Sequence, residues 1–218
     1  AMVPVNSLGW QPGDRIATAF DTLLGTAVGA PAYPLVTRVT LDDVTALVAG
    51  NIEIAAMARP TIQSTIAARV VSEGQTLGAG LVLAGNRIKS GVAVSVLSTA
   101  EPTIHATGSI RLSARDGSAI TAEAGLEAAS AGGPALGGLV ARNEVASAVT
   151  LNLAGASLHA GGDLFAEAET TASISSVVSG RQPTAEAGSA ASFALTGVIA
   201  TNAILGDVQL TVANEILT

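Results

Sequence analysis

Hydrophobic and polar residues alternate along most of the chain from Val36 onward, which is the pattern of β-strands with one buried face. The clearest runs are Val92 to Val96, Val149 to Leu153 and Val208 to Val212, where branched side chains occupy every second position. Glycines and polar pairs such as Asp116-Gly117 interrupt the alternation and indicate turns. The pattern therefore predicts a chain made mainly of strands joined by tight turns.

These runs belong to a template that recurs at intervals of 54 to 59 residues, and such a period is typical of one supersecondary unit stacked on itself. Each copy contains a glycine that opens a strand, an isoleucine twelve positions later, and an asparagine in a second run. The glycines are Gly50, Gly108 and Gly162, the isoleucines are Ile62, Ile120 and Ile174, and the asparagines are Asn86, Asn143 and Asn202.

The template predicts two inward stacks of aliphatic side chains, because a shift of one residue in register would expose all of them. One stack consists of Ile52, Ile110 and Leu164, and the other of Ile62, Ile120 and Ile174.

The predicted fold class is all-β: an elongated β-solenoid over residues 36–218, with a right-handed parallel β-helix as its favoured form and about three repeats. If a coil takes about 20 to 30 residues, about six to nine coils would form a rod of roughly 30 to 45 Å. Linkers such as Ala122 to Leu139 are predicted to hold tight turns and short strands. A helical turn is the alternative there, because alanine favours helix while the glycines interrupt it.

Residues 1–35 lie outside the template and are predicted to form an N-terminal cap and lead-in with a short helix. Asp14 can cap the start of this helix, Ile16 and Phe20 fall on one face, and Gly25 can end it. We expect the helix to cover an open end of the solenoid, where strand edges would otherwise be exposed. A docking helix for a partner is the alternative.

Composition narrows the functional classes. The formal net charge of −7 disfavours nucleic acid as a partner, since no basic stripe is present to neutralise phosphates. There is no cysteine, which excludes disulfides and thiolate metal sites. Residues 187–206 lack charge and match the length of a membrane span, but the equivalent slots in the other copies hold Arg87, Lys89, Arg142 and Glu144, so no span is expected.

No metal or other cofactor is predicted. His105 and His159 occupy equivalent slots, with Val48 assigned to that slot in the first copy, and alternation directs both histidines outward into solvent. Asp42-Asp43 is the only pair of adjacent acidic residues, and calcium requires more convergent oxygens than it supplies.

No catalytic residue and no enzymatic activity are predicted. Two carboxylate pairs could in principle cleave a polysaccharide, Glu123 with Glu127 and Glu167 with Glu169, but solvated outward glutamates explain them equally well. The recurring asparagines are interpreted as a structural ladder at a corner of the solenoid, since no base or nucleophile recurs beside them.

Three segments carry a resemblance to a known family: Gly162-Asp-Leu-Phe-Ala-Glu-Ala168, Ala141-Arg-Asn-Glu-Val145 and Phe20-Asp-Thr-Leu-Leu-Gly25. Together they resemble the repeats of very large bacterial surface proteins of the filamentous-adhesin and leukotoxin-like type. The resemblance implies a parallel β-solenoid, export to the extracellular space or cell surface, and a role in adhesion or matrix building.

The function expected from these observations is a structural or adhesion repeat module, either a shaft or a surface-presenting segment, of a large secreted or surface-attached bacterial protein. Its expected partners are an unknown surface ligand, glycan or protein, or neighbouring repeats of the same parent chain. The first alternative is a glycan- or protein-binding module that uses the inter-strand linkers. The second is a polysaccharide-active β-helix enzyme.

Overall fold

The computed structural model describes residues 2, 4–9, 34–73, 76–99, 103–182, 193–213 and 216–217, and these residues form fifteen strands and no helix. The predicted all-β class is confirmed. In chain order the strands are β1 (Val5–Leu8), β2 (Leu35–Asp42), β3 (Ala46–Val48), β4 (Ile52–Ala58), β5 (Thr61–Glu73), β6 (Gly78–Leu97), β7 (Thr103–Ala106), β8 (Ile110–Asp116), β9 (Ala119–Ala131), β10 (Ala135–Ala154), β11 (Ser157–Ala160), β12 (Leu164–Thr170), β13 (Ser173–Arg181), β14 (Ala194–Ala213) and β15 (Ile216–Leu217).

The predicted N-terminal helix, from Asp14 to Gly25, lies outside the described residues. The described part of residues 1–35 contributes a strand instead, since β1 pairs in parallel with residues 85–88 of β6. The N-terminal lead-in therefore covers part of one edge of β6 by backbone pairing.

The strands form four sheets, and every pairing in them is parallel. Sheet A contains β1, β2, β6, β10 and β14, and sheet B contains β3, β7, β11 and β15. Sheet C contains β4, β8 and β12, and sheet D contains β5, β9 and β13. The chain passes through sheets A, B, C and D in this order and then returns to sheet A beside its own previous strand.

One such circuit takes about 57 residues, so the expectation of about 20 to 30 residues per coil is wrong. Asn86 pairs with Asn143, 57 residues further, and Asn143 pairs with Asn202, 59 residues further. Sheet A therefore has four layers, which span roughly 14 Å at ~4.8 Å per step, while a single strand of 20 residues extends ~66 Å. The described stack is wide across the strands and short along the pairing direction.

The interior lies between sheet A on one side and sheets C and D on the other. The second half of β6 packs against sheet C, with Val92, Val94 and Val96 in one cluster with Ile110 and Leu112. The first half of sheet A packs against sheet D in two smaller clusters, one around Ile88 and Ile120 and one around Val82 and Leu126. Inward residues therefore alternate along each long strand, as the period-two pattern requires.

Both predicted aliphatic stacks are confirmed. Ile52, Ile110 and Leu164 are in register in sheet C and belong to the first cluster. Ile62, Ile120 and Ile174 are in register in sheet D and belong to the second. The middle member of each stack is almost completely buried, because it has a neighbour above and below.

The linker from Ala122 to Leu139 was predicted to hold tight turns and short strands, and this prediction is wrong about how much of it is turn. Only residues 132–134 form a turn, and the rest belongs to β9 and β10. Gly137 lies inside β10, where an added Cβ would come within 2.9 Å of the Leu126 side chain across the interior. A glycine inside a strand here marks a close approach between two sheets rather than a break.

The glycines that open each copy stack at the turn between sheets B and C. The Gly108 amide donates to the Gly50 carbonyl at 2.9 Å, and the Gly162 amide donates to the Gly108 carbonyl at 3.1 Å. A Cβ on Gly162 would meet the Ser109 hydroxyl at 2.8 Å. The recurrence of glycine at this slot is therefore explained by close packing between layers.

Strand β14 forms the last layer of sheet A. Its residues Val208 and Leu210 are 46% and 50% exposed, whereas their register partners Val149 and Leu151 are 1% and 0% exposed. The same slot is thus buried inside the stack and open at this end. Among the described residues no helix is long and apolar enough to cross a membrane.

Candidate functional site

The asparagines that recur in the template form a continuous hydrogen-bonded ladder through sheet A. The Asn86 amide donates to the Asn143 carbonyl oxygen at 2.8 Å, and the Asn143 amide donates to the Asn202 carbonyl oxygen at 2.8 Å. Asn6 of β1 extends the ladder by donating to Asn86 at 2.9 Å. The four side chains therefore point their donors in one direction along the stack.

The ladder faces the interior, on the same side of sheet A as Ile88. Asn86 and Asn143 are 2% and 1% exposed. Asn143 also donates to the Ser176 hydroxyl at 3.1 Å, which joins sheet A to sheet D across the interior. Because these amides satisfy one another, the arrangement holds the register of the layers and supplies no reactive group.

A second polar arrangement lies on the outer face of sheet C and is called here the charged face: Arg111, Arg115, Phe165, Glu167 and Glu169. Glu167 accepts hydrogen bonds from Arg115 and, at 3.4 Å, from Arg111. Arg115 also lies 3.4 Å from a carboxylate oxygen of Glu169. The Arg111 guanidinium lies over the Phe165 ring, 4.8 Å from its centroid, within the range of a cation–π contact.

The ion pairs shift the pKa values of Glu167 and Arg115 on the charged face. The hydrogen bond from Arg115 lowers the pKa of Glu167 below its ordinary value, with the positive charges of Arg115 and Arg111 contributing in the same direction. The same hydrogen bond and the charge of Glu167 raise the pKa of Arg115. A glutamate whose pKa is lowered is a poor general acid near neutral pH, so Glu167 does not suit the acid role of a glycoside hydrolase.

The other predicted carboxylate pair is also accounted for by ion pairing or solvent. Glu127 lies 2.9 Å from Arg69 of the neighbouring strand, and Glu123 is exposed. Glu167 and Glu169 were singled out from the sequence and Phe165 was not, although the alternation of β12 places all three on one face. That alternation was the signal by which Phe165 could have been found.

A cavity of about 220 Å³ lies beside the charged face, at the bend where the chain passes from sheet C to sheet D. It touches all three layers: Arg59 follows β4, Gly117 follows β8, and Thr171 follows β12. Asp116 also lines it and is 1% exposed. From the sequence, Asp116 was predicted only as part of a turn and Arg59 was not singled out, because neither residue recurs in the template.

The two histidines lie on the outer face of sheet B, as the alternation predicted, but they are not fully solvated. His105 and His159 are in register in sheet B, with ring centroids 6.2 Å apart, and both are half-buried on the outer face. The assignment of Val48 to this slot is wrong, because Leu47 pairs with His105 and Val48 pairs with Ala106. In the described part of the chain, no three His, Cys, Asp or Glu residues converge as metal ligands would.

No protein-family model matches the chain, and no match was found among curated proteins or among solved structures. Functional inference therefore rests on the sequence and the geometry of the chain itself.

Proposed function

We propose that this chain is a structural and adhesive repeat module, folded as a right-handed parallel β-helix, that serves as a shaft or surface-presenting segment. The observation that supports this most is the register of sheet A, where β6, β10 and β14 pair over twenty consecutive positions. Parallel strands joined by crossover connections are almost always right-handed. A chain that pairs with its own previous circuit grows by adding layers without changing its cross-section.

The side chains between layers support a mechanical role. The asparagine ladder and the aliphatic stacks both run along the pairing direction, so each layer is bound to the next by amide hydrogen bonds and by buried apolar contacts. Load along this direction would be shared by many parallel bonds. Such a module suits a rigid spacer that holds a binding surface away from its attachment point.

A secreted or cell-surface location in a bacterium is part of the same proposal. Its support is the resemblance of Gly162-Asp-Leu-Phe-Ala-Glu-Ala168 and Ala141-Arg-Asn-Glu-Val145 to the repeats of large bacterial surface proteins. An antibody raised against the chain should label intact cells of the bacterium that produces it. Labelling that requires permeabilised cells would contradict the surface location.

Duplication of one circuit tests the architecture. A second copy of residues 78–134, inserted after Pro134, adds one complete circuit that ends in the register from which β10 starts. Small-angle scattering should show growth of ~4.8 Å along one axis with a constant cross-section. Growth in all three dimensions, or a duplicated segment that remains unfolded, would contradict the proposed β-helix.

A further inference from the structure

Sheet A has an open strand edge at each end of the stack. The last-layer edge belongs to β14, and no described strand pairs with its outer side. The first-layer edge belongs to β1 and β2, which both pair with β6, and no described strand pairs with their other side. An open edge carries a row of backbone donors and acceptors and is a template for pairing with another chain.

The asparagine ladder has a donor end and an acceptor end. Asn202 accepts from Asn143, and no described residue accepts from its own amide. At the other end, Asn6 donates to Asn86 and to the Ser64 hydroxyl at 3.2 Å, and no described residue donates to its carbonyl oxygen. The last-layer edge of one copy therefore supplies the donor that the first-layer edge of a second copy can accept.

The same register brings aliphatic side chains of the two edges together. With the first layer of a second copy placed beside β14, Leu8 comes opposite Ile204 and continues the slot of Ile88. Val39 comes opposite Leu210 in the same way. Ile204 and Leu210 are exposed in a single copy, so the contact would remove apolar surface from water.

One charged residue from each edge adds to the match. Asp207 lies on the outer face of β14 and Arg38 on the outer face of β2, and both are exposed without an ion pair to a described residue. Across the contact, Asp207 comes opposite Val36, so Arg38 is its diagonal neighbour at roughly 7–8 Å. Contact between opposite ends pairs these charges, whereas contact between two last layers would bring Asp207 near its own copy.

We propose that the last-layer edge of one copy binds the first-layer edge of a second copy in parallel register. The contact joins two different surfaces, so it repeats without closing and produces a linear filament along the pairing direction. Sheets C and D have three strands each against four layers of sheet A, so each leaves one strand position open at the junction. The contact is therefore made by sheets A and B, and we expect it to be reversible.

The filament rests on the proposed β-helix and adds its partner, a second copy of the same chain. The two proposals can fail separately. Duplication of one circuit tests layer growth within a single chain, whereas self-association tests the contact between chains.

Engineered cysteines test the register of the contact, because the chain contains no cysteine of its own. Thr40 and Thr211 are exposed and come opposite each other across the junction. A mixture of Thr40→Cys and Thr211→Cys proteins should form a disulfide-linked dimer under oxidising conditions, because adjacent strands bring Cα atoms within the roughly 4.4–6.8 Å that a disulfide spans. Ile199→Cys, on the same face of β14 but far along the strand, is the matched control and should not crosslink to Thr40→Cys.

Sedimentation of the full 218-residue protein tests the association itself. The mean mass should rise with concentration and should not level off at a dimer. Asp207→Lys replaces attraction to Arg38 by repulsion, so it should weaken association by about three- to tenfold, and adding Arg38→Glu to the same chain should restore it. Glu123→Lys makes the same charge change at an exposed position of the middle layer and should associate as the wild type does.

Several results would overturn the proposal. The protein could stay monomeric at every concentration, as it would if another segment of the same chain covered either edge, or its mass could level off at a dimer. Ile199→Cys could crosslink as efficiently as Thr211→Cys, or Arg38→Glu could fail to restore the association lost in Asp207→Lys. The crosslinking experiment does not alter Asp207, so it decides the outcome if Asp207→Lys does not fold.

Discussion

Replacing Asn143 by alanine should remove the central rung of the asparagine ladder. The wild-type side chain accepts from Asn86 and donates to Asn202 and Ser176, so three hydrogen bonds are lost. At ~0.5–1.5 kcal/mol net for each bond, the loss is ~1.5–4.5 kcal/mol. Asn86 is then left buried with an unpaired donor, which moves the expected loss of unfolding free energy to about 3–4 kcal/mol.

Asn202→Ala is the matched control, because Asn202 occupies the same slot in the last layer. It is exposed and takes part in one hydrogen bond among those of the described residues. Its replacement should cost about 1 kcal/mol or less. Urea unfolding followed by circular dichroism measures both losses, and equal losses at the two positions would refute the argument that burial makes the ladder important.

Three further predictions concern the core, a turn and pH. Leu112 is fully buried, so Leu112→Ala should lower the free energy of unfolding in urea by about 2–5 kcal/mol. Leu47 is 81% exposed, so Leu47→Ala should change it by less than ~0.5 kcal/mol. Similar losses for the two variants would contradict the assigned interior. Gly155→Ala should lower the melting temperature, because Gly155 has φ of 76° and a Cβ there would collide with a backbone carbonyl of the previous layer. An unchanged melting curve would count against this turn geometry. Because the folded-state pKa of Glu167 is lowered, its ion pair with Arg115 stabilises the protein above the ordinary glutamate pKa and is lost as the pH falls through the folded value. The stability difference between wild type and Glu167→Gln should therefore be present at pH 7 and disappear in acid, and a difference that persists in acid would exclude this ion pair as its source.

The alternation of large and small residues was sufficient to predict the strands and the two aliphatic stacks. Ile110 and Ile120 lie in the interior because each follows a template glycine at a fixed distance with the same parity in all copies. The length of one circuit was harder to predict. The segment from Ala122 to Leu139 is rich in alanine and glycine and resembles a turn region, yet neighbouring strands hold most of it extended, so tertiary pairing overrides local propensity.

The asparagine ladder was predictable because its residues recur, and the cavity was not because its residues do not. Arg59, Asp116 and Glu169 come from three successive layers and converge only when the register of sheets C and D is known. Comparison of the internal copies identifies the positions that recur between them. It does not identify the positions that differ, and a stacked fold can place a local site at those positions.

The circuit of 57 residues also affects how the chain folds. Strand β1 pairs with residues of β6 that lie 80 positions away, and the other described strands pair with partners 54 to 59 positions away. No pairing among them is a hairpin, so all of it is non-local. Closing a loop of that length costs roughly 3.6 kcal/mol of chain entropy before any contact compensates for it. The first circuit must close this loop when no strand edge is available for pairing. Each later circuit can pair with the strand edges of a layer that has already formed. We therefore expect slow initiation followed by sequential growth of layers, so that a nascent chain folding from one end would use its finished layers as the template for the next.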